Sequence, residues 1–304
     1  MEYAINVHDL CKKIAGTTIL DSITFSVLPG QIVGILGNNG AGKTTLFKLL
    51  LGLLPADRGR GTILGFDLEK ESPLIREKSG VLLDNHGLYE YLTAFENLQF
   101  YGRIYHLSSK EYFNRIKILA EKFQLIDQLD CYIHTLSKGM KQKIAIIRSI
   151  LHKPQLLFLD EPTDGLDPLS IVTLRNELKD LAYNNNSTIL INTHNLREAE
   201  LLCNLIITLK DGKLISKHFN NIISSTEKII IKLNSNDRLI QVLRTKSYCQ
   251  IVNENAIIIH EKKYLHSAME IIINQGGHIL DICNDNSSIE DLFLREIISH
   301  SNPT

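Results

Sequence analysis

The chain has 304 residues, 44% of them apolar and 22% charged, enough for one full hydrophobic core with room for a second domain. Its formal charge of -1 gives no basic excess of the kind that marks a nucleic-acid surface. Five scattered cysteines (Cys11, Cys131, Cys203, Cys249, Cys283), with no CxxC pair, argue against a disulfide framework or zinc site and suit a reducing compartment.

Residues 1–6 lack the basic and apolar stretches of a secretory leader. No segment approaches the ~20 uncharged apolar residues that cross a bilayer, since the run 46–54 is short and holds Lys48. A soluble chain is expected, with any membrane role supplied by a partner. Residues 30–36 read as a short buried strand feeding a glycine cluster. Residues 43–53 then show helical spacing and end near Gly52 and Pro55. Between them Gly37, Asn38, Asn39, Gly40, Ala41, Gly42, Lys43 and Thr44 satisfy G-x-x-x-x-G-K-[ST], followed by Thr45. Such glycines let backbone N–H groups turn inward around an anion, and the helix N-terminus adds a favourable dipole. Lys43 is expected to reach the β- and γ-phosphates, and the Thr44 hydroxyl to ligate magnesium.

Residues 92–125 are helical in character, with Tyr112, Ile116, Leu119 and Phe123 on one amphipathic face. Residues 156–159 and 188–191 are further short apolar strands, so strands alternate with helices and imply a mostly parallel sheet carrying an inserted helical region. Asp160 and Glu161 close the first of these strands, on the sheet edge where ligands bind. Asp160 is expected to hold magnesium, and Glu161 to orient or deprotonate a water. His194 follows the second strand on the same edge, where an imidazole can meet a γ-phosphate or hold the water with Glu161. Beyond about residue 221, strand, helix, strand, strand, helix and strand patterns suggest a small α+β ferredoxin-like appendage.

Between the phosphate loop and the carboxylates lies Leu136-Ser137-Lys138-Gly139-Met140-Lys141-Gln142. In this order and spacing the chain resembles the ATP-binding subunits of ABC transporters over roughly residues 2–220. Residues 37–45 stand as Walker A, 136–142 as a variant signature, 156–161 as Walker B, Gly165-Leu166-Asp167 as the D-loop and Thr193-His194 as the switch region. The resemblance implies an α/β P-loop NTPase domain over 1–221, with a mixed sheet and a helical subdomain at about 88–150, and an accessory domain over 222–304. It implies ATP and Mg2+ as cofactors and a head-to-tail pair of two copies. Each ATP would lie between one copy's Walker A and the other's Ser137 and Gly139, with Glu161, His194 and Lys43 catalytic and Asp167 at the nucleotide. Ser137 and Gly139 at a helix start offer a hydroxyl and N–H groups to a phosphate.

Three departures stand out. Ile14 occupies the place of the family's adenine-stacking aromatic, so apolar contact survives without π-stacking. Lys138 and Met140 replace small or glycine residues of the signature. Asp84 replaces the Q-loop glutamine, and is expected to be a direct or water-mediated magnesium ligand, a hard oxygen donor that lacks the amide's N–H.

The stretch 84–105, with Gly87-Leu88-Tyr89, Leu92-Thr93 and Glu96-Asn97-Leu98 and also holding Tyr91 and Phe95, and the segment 288–294 are similar to the exporter branch that handles drugs, peptide antibiotics, lantibiotics or sodium. That branch pairs such subunits with separately encoded transmembrane permeases, which places the chain in the cytoplasm on the inner membrane face. Exposed aromatics of 84–105 suit a helix-in-groove contact with the permease, or else pack the helical region itself. A non-transport ABC ATPase on ribosome or DNA is the alternative, weighed down by the neutral charge and the single nucleotide domain. A degenerate regulatory subunit is disfavoured by intact Glu161 and His194.

Overall fold

Strands covered on both faces need continuous apolar runs, and three such runs make the middle of the main sheet. The computed structural model describes residues 2–83, 86–219, 229–234, 237–246, 248–253, 255–259 and 264–284. The chain divides into two compact units, Met1–Asn220 and Asn221–Thr304. In the first, the order is β1 (Ile5–Ile14), β2 (Thr17–Val27), β3 (Ile32–Leu36), α1 (Lys43–Leu50), β4 (Arg58–Ile63), β5 (Phe66–Asp67), α2 (Ser72–Glu77), β6 (Ser79–Leu82), α3 (Ala94–Ile104), α4 (Ser109–Lys122), α5 (Lys138–Ile150), β7 (Leu156–Asp160), α6 (Pro168–Asn184), β8 (Thr188–Asn192), α7 (Leu196–Leu202), β9 (Leu205–Lys210) and β10 (Lys213–Phe219).

Six strands run in the order β10-β9-β3-β8-β7-β6. All are parallel except β10, which pairs antiparallel with β9 on the edge. Every residue of β3, β7 and β8 is buried. The register pairs Asp160 with Asn192, so the last residues of β7 and β8 sit side by side at the C-terminal edge. Helix α1 packs beneath that edge, where Phe47 meets Phe158 edge-on with centroids 5.2 Å apart. The fold is thus an α/β P-loop sheet with helices on it, as the alternating pattern implies.

A second, antiparallel sheet in the order β2-β1-β4-β5 packs on the same core through Ile5, Val7, Leu10, Ile23 and Phe25. Three helices, α3 to α5, form the helical region. Capping boxes start two of them, Thr93 with Glu96 for α3 and Ser108 with Glu111 for α4, each worth about 1 kcal/mol. Tyr112, Ile116 and Leu119 of α4 face inward together with Phe123. Phe95 packs edge-on against Phe113 at 5.4 Å, within the helical region, while Tyr89 and Tyr91 are exposed. Among the described residues no helix is long and apolar enough to cross a membrane.

The second unit runs β11 (Ile229–Asn234), α8 (Asp237–Arg244), β12 (Cys249–Asn253), β13 (Ala256–Ile259), α9 (Leu265–Asn274) and β14 (His278–Asn284). Its strands order as β12-β13-β11-β14, all antiparallel, which is the split βαβ arrangement. Ile231, Leu233, Leu239, Leu243, Ile257 and Ile272 fill its separate core. The segment 288–294 lies outside the described residues.

Candidate functional site

The loop between β3 and α1 curls around one point because its glycines adopt conformations other residues resist. Gly42 has φ +99°, and a Cβ there would stand 2.9 Å from the Ile19 carbonyl oxygen. Lys43 begins α1 and folds back, its Nζ donating to the carbonyl oxygens of Gly37 at 2.6 Å and Asn38 at 3.2 Å. Burial pulls the Lys43 ammonium below the ordinary lysine value, and the nearby carboxylates Glu161 and Asp160 oppose that pull.

Both oxygens of Asp160 are engaged. The Thr44 hydroxyl donates to Oδ2 at 2.7 Å, and Asn192 Nδ2 donates to Oδ1 at 2.6 Å. Glu161 follows with φ 45°, a left-handed conformation that is strained for a residue with a Cβ. Its N–H donates to the Asn192 carbonyl at 2.8 Å, which holds the chain as it leaves the strand. Its carboxylate Oε1 lies 2.8 Å from His194 Nδ1. A cleft of ≈ 430 Å³ opens over these groups, lined by Asn39, Gly40, Gly42, Lys43, Thr44, Thr45, Asp160, Glu161 and Asn192, with Ile19 at one side. That size suits a nucleotide.

The donor set also fits magnesium. Thr44 and Asp160 present hard oxygens to the cleft, and the buried Asn192 Oδ1 has no hydrogen-bond partner. Magnesium characteristically takes one or two protein oxygens and completes its shell with water and phosphate, so a lone carboxylate beside the phosphate loop is enough.

The signature residues lie outside this cleft lining. Ser137 is exposed and caps α5, its Oγ accepting the Met140 N–H at 3.3 Å. A Cβ on Gly139 would come within 2.6 Å of the Gly165 carbonyl oxygen, so the signature rests directly on the D-loop of its own chain. Lys138 Nζ reaches Asp164 Oδ2 at 2.6 Å, Lys143 Nζ reaches Asp167 Oδ2 at 2.8 Å, and the buried Gln142 donates to the Pro162 carbonyl at 3.0 Å. Asp167 caps α6 through the Ser170 N–H and hydroxyl; with Lys143 donating as well, its carboxyl is held far below the usual range. Ile14 is exposed at the β1–β2 hairpin and does not line the cleft, whereas Ile19 does. Asp84 lies outside the described residues.

The geometry therefore joins Asn39, Gly40, Gly42, Lys43, Thr44, Thr45, Asp160 and Glu161, with His194 on Glu161, and leaves Ser137, Gly139 and Ile14 apart from them. Asn192 and Ile19 escape the sequence reading. Asn192 was discoverable as the residue after an apolar strand, one position before Thr193-His194.

A phosphate-cradling loop, a magnesium-fit aspartate and a strand-end glutamate–histidine pair define a P-loop nucleoside triphosphatase. The family model described as ABC transporter matches residues 20–164. An ABC transporter ATP-binding protein of Bacillus subtilis, YdbJ, is 32% identical over 98% of this chain and 97% of its own length. The bacitracin transport ATP-binding protein BcrA of Bacillus licheniformis is 31% identical over 98% of each. A solved ATP-binding subunit of an ABC transporter superposes with TM-score 0.68 at 34% identity, covering 71% of this chain and 90% of that one. The chain belongs to the ATP-binding subunits of ABC transporters and is an ATPase.

Proposed function

We propose that this chain energises an exporter of a peptide antibiotic or drug by pairing head to tail with a second copy around two ATP molecules. One observation carries the pairing. The groups that cradle and hydrolyse a triphosphate converge on one cleft, while Ser137 and Gly139 line none of it. A phosphate bound at Lys43 of one copy is therefore contacted by the α5 N-terminus of the other, whose N–H groups and dipole favour an anion. The full-length similarity to a bacitracin transport subunit supports the export reading and the peptide class.

Thr44 and Asp160 would hold Mg2+, which would supply positive charge to offset that of the triphosphate. Glu161 orients the attacking water and takes its proton as the β–γ bridging P–O bond breaks. His194, paired with Glu161 at 2.8 Å, holds that carboxylate in place. The ATP-bound pair and the separated state after hydrolysis form a two-state element that drives the membrane partner. That partner is a separately encoded transmembrane permease, which this chain meets at the cytoplasmic membrane face. Tyr89 and Tyr91 are the exposed aromatics that suit it, beside a cavity of ≈ 210 Å³ lined by Val81, Leu83, Tyr101, Tyr105 and Arg148.

The test is Glu161→Gln. With ATP and magnesium the variant is expected to accumulate as a dimer in light scattering and to lose turnover. A variant that turns over at the wild-type rate, or one that stays monomeric with ATP bound, overturns the reading.

A further inference from the structure

Helices α6 and α7 are joined by a two-pronged ion pair that lies outside the lining of the nucleotide cleft. Arg175 Nε donates to Glu198 Oε2 at 2.8 Å, and its Nη2 donates to Oε1 at 2.7 Å. The side chains are only 25% and 13% exposed, so the pair is half-buried and its geometry is fixed at both ends. Its location is the informative part. Glu198 lies in the first turn of α7, and its own N–H is held by the Asn195 side chain at 3.2 Å. Asn195 caps that helix, donates its N–H to Thr193 Oγ1 at 3.0 Å, and directly follows His194. Arg175 lies two turns into α6, the helix that Asp167 of the D-loop caps.

Arg175 and Glu198 also border a small apolar cavity whose other walls include Pro162, Thr163 and Thr193. Those are the residues immediately after Glu161 and immediately before His194. The cavity has ≈ 10 Å³ of interior room, about the smallest that admits a water, so the pair packs closely on both backbone segments. The salt bridge is thus a charged link between α7 and α6 that packs beside the loop after Glu161.

We propose that Arg175 and Glu198 are positioning residues for hydrolysis: the pair fixes the first turn of α7 against α6 and thereby sets the distance between His194 and Glu161. A loss of about 1 Å in the placement of a reacting group can cost up to a hundredfold in rate, with no direct contact to substrate. The effect falls on turnover and leaves the phosphate loop untouched. This rests on the reading that His194 acts with Glu161 on the attacking water.

The experiment measures kcat and KM for ATP of the full chain with magnesium in Glu198→Gln, Arg175→Met and the charge-exchanged pair Arg175→Glu with Glu198→Arg. Each single change is expected to lower kcat about tenfold or more while KM stays within about twofold, and the exchanged pair to recover part of the loss. Each change is then repeated in a His194→Ala background. If the pair acts through His194, Glu198→Gln costs nothing further there, whereas a merely structural role predicts additive losses. Single variants that retain wild-type kcat while His194→Ala loses it overturn the inference alone, as do additive losses in the double variants. Wild-type turnover by His194→Ala overturns the hydrolytic reading, and this inference with it.

Discussion

His152 should give the fold a measurable acid sensitivity that has nothing to do with its carboxylates. It sits just beyond α5 with its ring stacked on Tyr105, centroids 3.5 Å apart, and its Nε2 donates to the Ser79 carbonyl at 3.2 Å. Its Nδ1 is buried without a partner. Burial pulls the imidazole from 6.5 down to about 4; the Ser79 carbonyl pulls back towards the charged form, and Arg115 across from α4 reinforces the lowering. Between those two values the unfolded chain binds a proton that the folded chain refuses. Stability therefore rises with pH across that window and is lost on acidification from 6.5 to about 4. The shift corresponds to about 3 kcal/mol, a large fraction of a domain's net stability. Urea unfolding followed by far-UV circular dichroism, at a series of pH values across the window, measures it. His152→Phe keeps the stacked ring, gives up one hydrogen bond worth about 1 kcal/mol and removes the titration. The acid slope should then be clearly smaller in the variant than in the wild type, with His86, also pulled down by burial, keeping part of it in both. Carboxylates such as Asp57 and Glu111 are held below their ordinary values by hydrogen bonds, so their stabilisation is lost only as pH falls through still lower values. Equal slopes in the two proteins across the window would refute the argument.

Other outcomes follow from the same contacts. Gly139→Ala should stabilise an isolated helix by about 0.5–1 kcal/mol, but here its Cβ meets the Gly165 carbonyl at 2.6 Å; the melting temperature should fall and turnover with it, and a stabilised, fully active variant would show that the D-loop yields freely. Asn192→Leu removes the 2.6 Å donor to Asp160, a hydrogen bond to a charged group worth about 1.5–3 kcal/mol; the magnesium concentration for half-maximal ATPase should rise, and an unchanged value would separate Asn192 from the metal. Lys143→Met should let the Asp167 carboxyl rise toward its ordinary value, readable by a carbon-13 NMR titration, because the Lys143 hydrogen bond is the largest cause of its depression.

What the sequence makes legible follows from how much each element states locally. Residues 32–36, 156–160 and 188–192 are buried on both faces, and their continuous apolar runs announce themselves. The phosphate loop is equally plain, because only glycines tolerate its turns. The antiparallel sheet is harder. Strands β1 and β2 pair through repeated register shifts, and Asp9 and Ser22 take left-handed conformations within them. A bulge breaks the period-two alternation on which a strand reading depends. Strand β4 reads Arg-Gly-Arg-Gly-Thr-Ile, which shows no apolar face until its last residue. Site residues divide the same way. Thr44, Asp160 and Glu161 are legible because their motif fixes them, whereas Asn192 earns its place only by register with Asp160 across the sheet. Ile14 against Ile19 shows the converse: the family position points to the hairpin, and the strand beyond it supplies the apolar wall of the cleft.

The signature segment holds a further role that its resemblance to a phosphate-contacting motif does not reveal. Three side chains of α5 reach the loop after β7 in the same chain: Lys138 to Asp164, Lys143 to Asp167, and Gln142 to the carbonyls of Glu161 at 3.4 Å and Pro162 at 3.0 Å. These are not equal. Asp164 and Lys138 are both largely exposed, and such pairs contribute about 0–1 kcal/mol. Gln142 is buried, so losing its partners would leave an unsatisfied amide and cost about 1–3 kcal/mol. The amide is therefore a firmer link than Lys138, and it ends on the backbone of Glu161, the residue already held in a strained left-handed turn, while Lys143 ends farther on, at Asp167. A displacement of the α5 N-terminus by a phosphate on a second copy would reach that turn through Gln142 first, with Lys138 free to exchange its weak partner. The same helix that would meet one nucleotide thus braces the carboxylate that would act on another.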